Sequence, residues 1–135
     1  SANSVEYVSL AMDSDGNPYV AYTDYGNGGR ATVMRYSGTA WEVVGSAGLS
    51  AGTAYWNSLA IDSNNAPYVA YQDYANGGRA TVMRYSGTAW EIVGSASFSS
   101  GGVEYVSLAL DPDNNPFVAY RDTANNSRAT VMSYE

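Results

Sequence analysis

The chain repeats itself at a fixed offset of 49 residues, and no other feature restricts its folding as much. Arg30-Ala31-Thr32-Val33-Met34-Arg35-Tyr36-Ser37-Gly38-Thr39-Ala40-Trp41-Glu42 returns letter for letter at residues 79–91 and begins a third time at Arg128. Val5-Glu6-Tyr7-Val8-Ser9-Leu10-Ala11 is matched by residues 54–60 and again by residues 103–109. A period of this size belongs to solenoids, propellers and arrays, in which each unit buries a face against its neighbour. The units cover residues 1–53, 54–102 and 103–135. Repetition this close implies recent duplication or deliberate construction from one unit.

Each unit divides into four short strands, A to D, which in the first copy span residues 7–12, 19–23, 30–36 and 41–45. They are apolar and β-branched runs separated by Gly, Asn, Asp and Pro clusters. Asp13-Ser14-Asp15-Gly16-Asn17-Pro18 joins A to B, Asp24-Tyr25-Gly26-Asn27-Gly28-Gly29 joins B to C, and Ser37-Gly38-Thr39 joins C to D. Asn and Gly reach the positive backbone angles that tight hairpins need, and proline lacks the N–H a central ladder uses, so these are turns. Residues 46–53, rich in Ser, Gly and Ala, carry the chain from the outer strand D to the next inner strand A. No stretch spaces its apolar residues at a helical period, so the chain is all-β. Strand B carries apolar bulk on both faces, Tyr19 and Ala21 on one and Val20 and Tyr22 on the other. Sheets covered on both sides have this pattern, and four-stranded meanders stacked around an axis make a β-propeller.

Asp13-Ser14-Asp15-Gly16-Asn17-Pro18-Tyr19-Val20-Ala21 and the later Asp122-Thr123-Ala124-Asn125-Asn126-Ser127-Arg128 resemble the NHL-type propeller repeat. In that repeat an Asp-x-Asp-Gly-Asn turn leads into Tyr-Val-Ala-Asp and then an Asn-Asn-Arg turn. The likeness covers strands A to C of every copy. Tyr22, Tyr71 and Tyr120 stand where that family usually carries an acid, and the Trp-containing strand D with its long link lengthens each unit. The resemblance implies a propeller of the six-bladed type. The Asp-box of sialidase-type propellers, Ser-x-Asp-x-Gly-x-x-Trp, does not occur.

Glu135 aligns with Ser37, so the third copy ends after strand C and the chain holds eleven strands, three each of A, B and C and two of D. Propellers close with about four to eight blades, which makes three blades half of a six-bladed ring. A blade face four strands wide at about 4.8 Å and six residues long at about 3.3 Å covers roughly 380 Å². Open faces of that size are a liability. Covering one with another removes roughly 700 Å², worth on the order of 10 kcal/mol gross if about half is apolar. Two chains joined head to tail make two such junctions and meet the association cost of about 4 to 15 kcal/mol once. The expected partner is a second copy, giving a six-bladed dimer ahead of a nine-bladed trimer.

Charged residues are 14% of the chain, the net charge is −7, and lysine, histidine and cysteine are absent. Such a chain lacks the basic face that nucleic acid requires. Without cysteine there is no disulfide framework or thiolate metal site. No run of 18 apolar residues suggests a membrane span, and the given sequence shows no charged-then-apolar leader, a removed signal peptide being compatible with this. Richness in Tyr, Asn, Ser and Gly suits a secreted or cell-surface bacterial protein. Asn125-Asn126-Ser127 fits the glycosylation triplet, which chance explains in so Asn-rich a chain. Carboxylates and tyrosines are the remaining bases and nucleophiles. No carboxylate pair breaks the repeat at one place, as a glycoside hydrolase site would. Neither enzyme activity nor a cofactor is expected.

Asp13, Asp15 and Asn17 alternate like the oxygen ligands of a calcium loop. Copy two has Asn64 and Ala66 at the last two positions and no distal Glu follows, so an Asx-type turn is preferred to a metal site. Asp24, Asp73 and Asp122 are expected to cap their turns and pair with Arg30, Arg79 and Arg128, a ligand-binding role being the alternative. Thr23, Gln72 and Arg121, like Glu6, Tyr55 and Glu104, read as exposed drift. Trp41 and Trp90 head strand D, where they cover the outer edge in preference to stacking on sugar. The ligand candidates are Tyr7, Trp56 and Tyr105 beside the D-to-A link, and Tyr25 and Tyr74 with Asn27 and Asn76 in the B-to-C turn. Aromatic faces beside hydrogen-bonding groups suit carbohydrate; for position 7, packing between blades is the competing reading. The chain is therefore read as a non-catalytic scaffold that closes a ring with itself, the alternative being a multivalent lectin with repeated loop sites.

Overall fold

A computed structural model describes residues 1–134; Glu135, which the repeat aligns with Ser37, lies outside the described residues. The first sheet contains β1 (Val5–Met12), β2 (Pro18–Asp24), β3 (Arg30–Tyr36) and β4 (Trp41–Val43) in chain order. The second contains β5 (Ala54–Ile61), β6 (Pro67–Asp73), β7 (Arg79–Tyr85) and β8 (Trp90–Ile92), and the third β9 (Val103–Leu110), β10 (Pro116–Asp122) and β11 (Arg128–Ser133). All neighbours are antiparallel, so each sheet is a meander, the expected blade. Strand A begins two residues earlier than the composition suggests, and strand D stops at Val43 because Gly45 takes a left-handed φ of 71° and turns the chain away. Among the described residues no helix is long and apolar enough to cross a membrane.

Local hydrogen bonds make the turns. The Asp13 carboxylate accepts from the backbone N–H groups of Asp15 and Asn17 and from the Asn17 amide, closing the A-to-B turn. Its burial alone would raise its pKa, but those bonds, with Arg35 nearby, more than offset this and hold it below the ordinary carboxylate value. The B-to-C turn is a short 3-10 segment, Tyr25–Asn27, capped by Asp24, which accepts from Gly26 N–H at 3.0 Å. The other Asp24 oxygen accepts from the Asn27 amide and the Thr32 hydroxyl. The cap is as expected, but the pairing with Arg30 is not, because Thr32 and Asn27 occupy the carboxylate. The strand C arginines in ion pairs sit further along, Arg35 at 4.0 Å from Asp13 and Arg84 at 3.5 Å from Asp62.

The core forms between sheets. Tyr19, Ala21, Ala31 and Val33 of the first blade meet Leu59, Val69, Tyr71 and Met83 of the second. Tyr68, Ala70, Ala80 and Val82 of the second meet Leu108, Val118 and Tyr120 of the third. Each blade thus presents one tyrosine, two alanines and a valine to the next blade, and the leucine, valine and tyrosine of that blade fill the space the alanines leave. The same two faces at the ends of the stack are open at their Leu10, Met12 and Val131 positions, although Tyr22 on the first is buried. Leu10 is 65% exposed where its counterpart Leu59 is 6%, and Val131 is 63% exposed where Val33 and Val82 are 0%.

Candidate functional site

The first strands β1, β5 and β9 lie against one another at the axis of the stack. Each contains a β-bulge; Glu6 pairs with Thr23 and Ser9 with Ala21, so Tyr7 and Val8 together face one residue of β2. The bulge puts Tyr7, Trp56 and Tyr105 at φ values of 50°, 53° and 52°. Bulky residues rarely adopt this left-handed geometry, which costs on the order of 1 to 3 kcal/mol at each position. The three rings compensate by stacking as a ladder, with centroids 4.7 Å apart for Tyr7 and Trp56 and 4.2 Å for Trp56 and Tyr105. Tyr55 lies 5.2 Å from Tyr7 and extends the ladder to Tyr74 at 5.0 Å. Tyr105, at the free end, is 60% exposed.

The fold therefore gathers Tyr7, Trp56, Tyr105 and Tyr74 of the sequence candidates in one tilted row, with Tyr74 and Tyr105 exposed at its ends. Tyr25 reaches the group at Tyr55, and its hydroxyl donates to Glu6 Oε2 at 2.7 Å. That bond, with burial and the Glu6 charge, pushes the Tyr25 phenol up to about 12. The Asn27 and Asn76 amides donate to Asp24 and Asp73 at 2.8 and 2.9 Å and so serve their own turns. The acids at position 6 vary in step with their neighbours: Glu6 holds Tyr25, whereas Glu104 pairs with Arg121. Thr23 is not exposed drift. It is fully buried, donates to Ala54 O and accepts from the Asn57 amide of the next blade.

Trp90 lies over Tyr85 and donates its indole N–H to Val44 O of the preceding blade at 2.8 Å, a structural role. Trp41 lies over Tyr36 in the same way with its outer side exposed. Between the first two blades, on the side of the A-to-B and C-to-D turns, opens a cleft of about 460 Å³ walled by Arg35, Glu42, Val43, Pro67, Arg84 and Tyr85. Sequence reasoning passed over it because it joins strands that lie about 49 positions apart. The available signal was Arg35 and Arg84 recurring inside an otherwise apolar strand C and giving way to Ser133 in the third copy.

No protein-family model matches the chain, and a search of curated protein sequences finds no match. Solved structures do match. The chain is similar to a fucose lectin from Kordia zhangzhouensis in complex with methyl-fucoside, with a TM-score of 0.53 and 9% identity over 94% of this chain and 91% of the lectin. It is similar to an endo-1,4-β-xylanase from Bacteroides thetaiotaomicron, with a TM-score of 0.60 and 14% identity over 98% of this chain and 60% of the enzyme. It also resembles a GH43 endo-arabinanase from Bacillus licheniformis, with a TM-score of 0.53 and 11% identity over 99% of this chain and 55% of that one. The chain thus spans somewhat more than half the length of these two enzymes. At such identities the likeness is one of fold, and the fold is all-β and propeller-like, with three stacked antiparallel sheets.

Proposed function

We propose that this chain is a non-catalytic propeller segment that closes a six-bladed ring with a second copy of itself, the ring serving as a binding scaffold. The carrying observation is that its two open faces are repeat counterparts of faces that already pack together twice within the chain. Phe117, Ala119, Ala129 and Val131 correspond to Tyr19, Ala21, Ala31 and Val33, and Leu10, Met12, Val20 and Tyr22 correspond to Leu59, Ile61, Val69 and Tyr71. Polar links repeat as well. Ser9 Oγ accepts from Leu59 N–H at 3.0 Å and Ser58 Oγ from Leu108 N–H at 2.9 Å, leaving Ser107 to accept from Leu10 of the second copy. Such head-to-tail faces close by a twofold rotation when three blades cover half a turn. Sedimentation of the wild-type chain and of Val131→Arg tests this: the variant should fall to the monomer mass, and a wild-type chain already monomeric would overturn it.

Carbohydrate binding is the second reading, favoured by the likeness to a fucose lectin of which this chain spans nearly the whole length. The rings at the free end of the ladder are the sequence candidates for it, and a secreted or cell-surface setting suits it. A glycan array probed with the wild-type chain and with Trp56→Ala and Tyr105→Ala tests that assignment, which predicts loss of signal in both variants.

A further inference from the structure

We infer that the cleft between the first two blades binds one ring of a neutral saccharide, an assignment that rests on the carbohydrate reading and gives it a site away from the aromatic ladder. Two arginines carry it. The Arg35 guanidinium lies over the Tyr19 ring, 5.7 Å from its centroid, and Arg84 over Tyr68 at 5.6 Å. Asp13 and Asp62 stand behind them at 4.0 and 3.5 Å. Both carboxylates are themselves fixed by backbone N–H groups of their turns. The guanidiniums are thus held in place, Arg84 also within hydrogen-bond reach of Tyr68 and with its Nε buried, and the part-exposed ends of both line the cleft. Fixed donors with unused capacity are what a ligand rich in acceptor oxygens requires.

The remaining walls define the ligand. Glu42, the register neighbour of Arg35, supplies a carboxylate acceptor for hydroxyl groups without forming an ion pair with it. Val43, Val44, Pro67 and the Tyr85 ring give an apolar wall for a ring's C–H face. The volume of about 460 Å³ is within the range of small-molecule sites. Asp13, Asp62 and Glu42 outnumber Arg35 and Arg84 around the cleft, so the local field does not favour an anion. A neutral, hydroxyl-rich ring satisfies donors, acceptor and apolar wall together.

The second junction is built differently. Ser133 stands where the first has Arg84, and Tyr134, the counterpart of Tyr85, accepts from Ser95 N–H at 3.2 Å. The site therefore breaks the repeat at one place, as a single ligand site in a duplicated chain should.

The test is binding of the full chain to a panel of neutral methyl glycosides, followed by calorimetric titration of those that bind and by the oligomer mass of the same sample. Glu42→Gln and Arg84→Gln should each weaken binding about tenfold or more, the effect of losing one charged hydrogen bond. Glu91→Gln, the same position one blade later, should leave it unchanged. Glu42 is exposed, so its replacement keeps the fold. Undiminished binding in both cleft variants overturns the assignment, and if Trp56→Ala or Tyr105→Ala then abolishes it, the carbohydrate reading survives at the ladder. Failure of every glycoside to bind at millimolar concentration overturns both. Binding by a monomer keeps the cleft and removes the ring.

Discussion

Asn65 Oδ1 accepts two hydrogen bonds from Ser14, one from its backbone N–H and one from its hydroxyl, each 2.9 Å long. The pair ties the A-to-B turn of one blade to that of the next, and Asn114 makes the same link to Ser63, its Oδ1 accepting from the backbone N–H at 3.0 Å and its amide donating to the hydroxyl at 2.8 Å. Both asparagines adopt a left-handed backbone, with φ of 62° and 67°. Asn65→Gly would keep that backbone and remove only the clamp, so we predict a loss of about 1 kcal/mol in chemical denaturation. Asn65→Ala should cost more, since alanine carries the strain that glycine does not. At the two ends the clamp is missing on both sides: Gly16 offers no side-chain acceptor and Pro112 no donor. A junction between copies would therefore form without it and leave no polar group unpaired.

The aromatic bulge gives a parallel prediction at a bulky side chain. Tyr105 is held at φ 52° with most of its ring in water. Tyr105→Gly should therefore be more stable than Tyr105→Ala by about 1 kcal/mol. Equal melting temperatures for the two variants would contradict the left-handed assignment.

Val82 is fully buried between the second and third blades, and Val82→Ala should cost about 2 kcal/mol from lost burial and the cavity left behind. Val131 is its repeat counterpart on the open face. If a second copy covers that face, Val131→Ala should destabilise comparably and in a concentration-dependent way; in an isolated chain it should be close to neutral.

Acid sensitivity follows from the A-to-B turns. Asp111, held by the Asn115 amide and its backbone N–H and then by Asp113 N–H, and Asp13, where such bonds outweigh burial, both lie below the ordinary value of 3.8 in the folded chain. A folded-state pKa below the unfolded one means stability that is present above the unfolded pKa and lost as pH falls through the folded one. Wild-type and Asp111→Asn should therefore differ most in stability above about pH 4 and converge below it. Urea titrations across that range measure the difference.

The strands, their order and the turns were legible in the sequence because they depend on local chemistry. Asp13 bonds residues two and four positions away, and Asp24 caps the turn it begins. What escaped depends on neighbours distant in the chain. Thr23 looked exposed because nothing local reveals that Asn57 and Ala54 cover it from the next blade. The left-handed Tyr7, Trp56 and Tyr105 read as ordinary strand residues, since aromatic side chains favour strands and the bulge is a property of pairing with β2, β6 and β10. Arg35 and Arg84 were visible as letters, but the cleft between them exists only once two sheets are stacked.

The central claim concerns the open faces of the stack, and static light scattering on the purified chain at micromolar concentration reads it most directly. A folded particle of twice the 14.3 kDa chain mass, reduced to a single chain by Leu10→Asp or Val131→Arg, is the predicted result. A stable, folded particle of 14.3 kDa for the unaltered chain would contradict it.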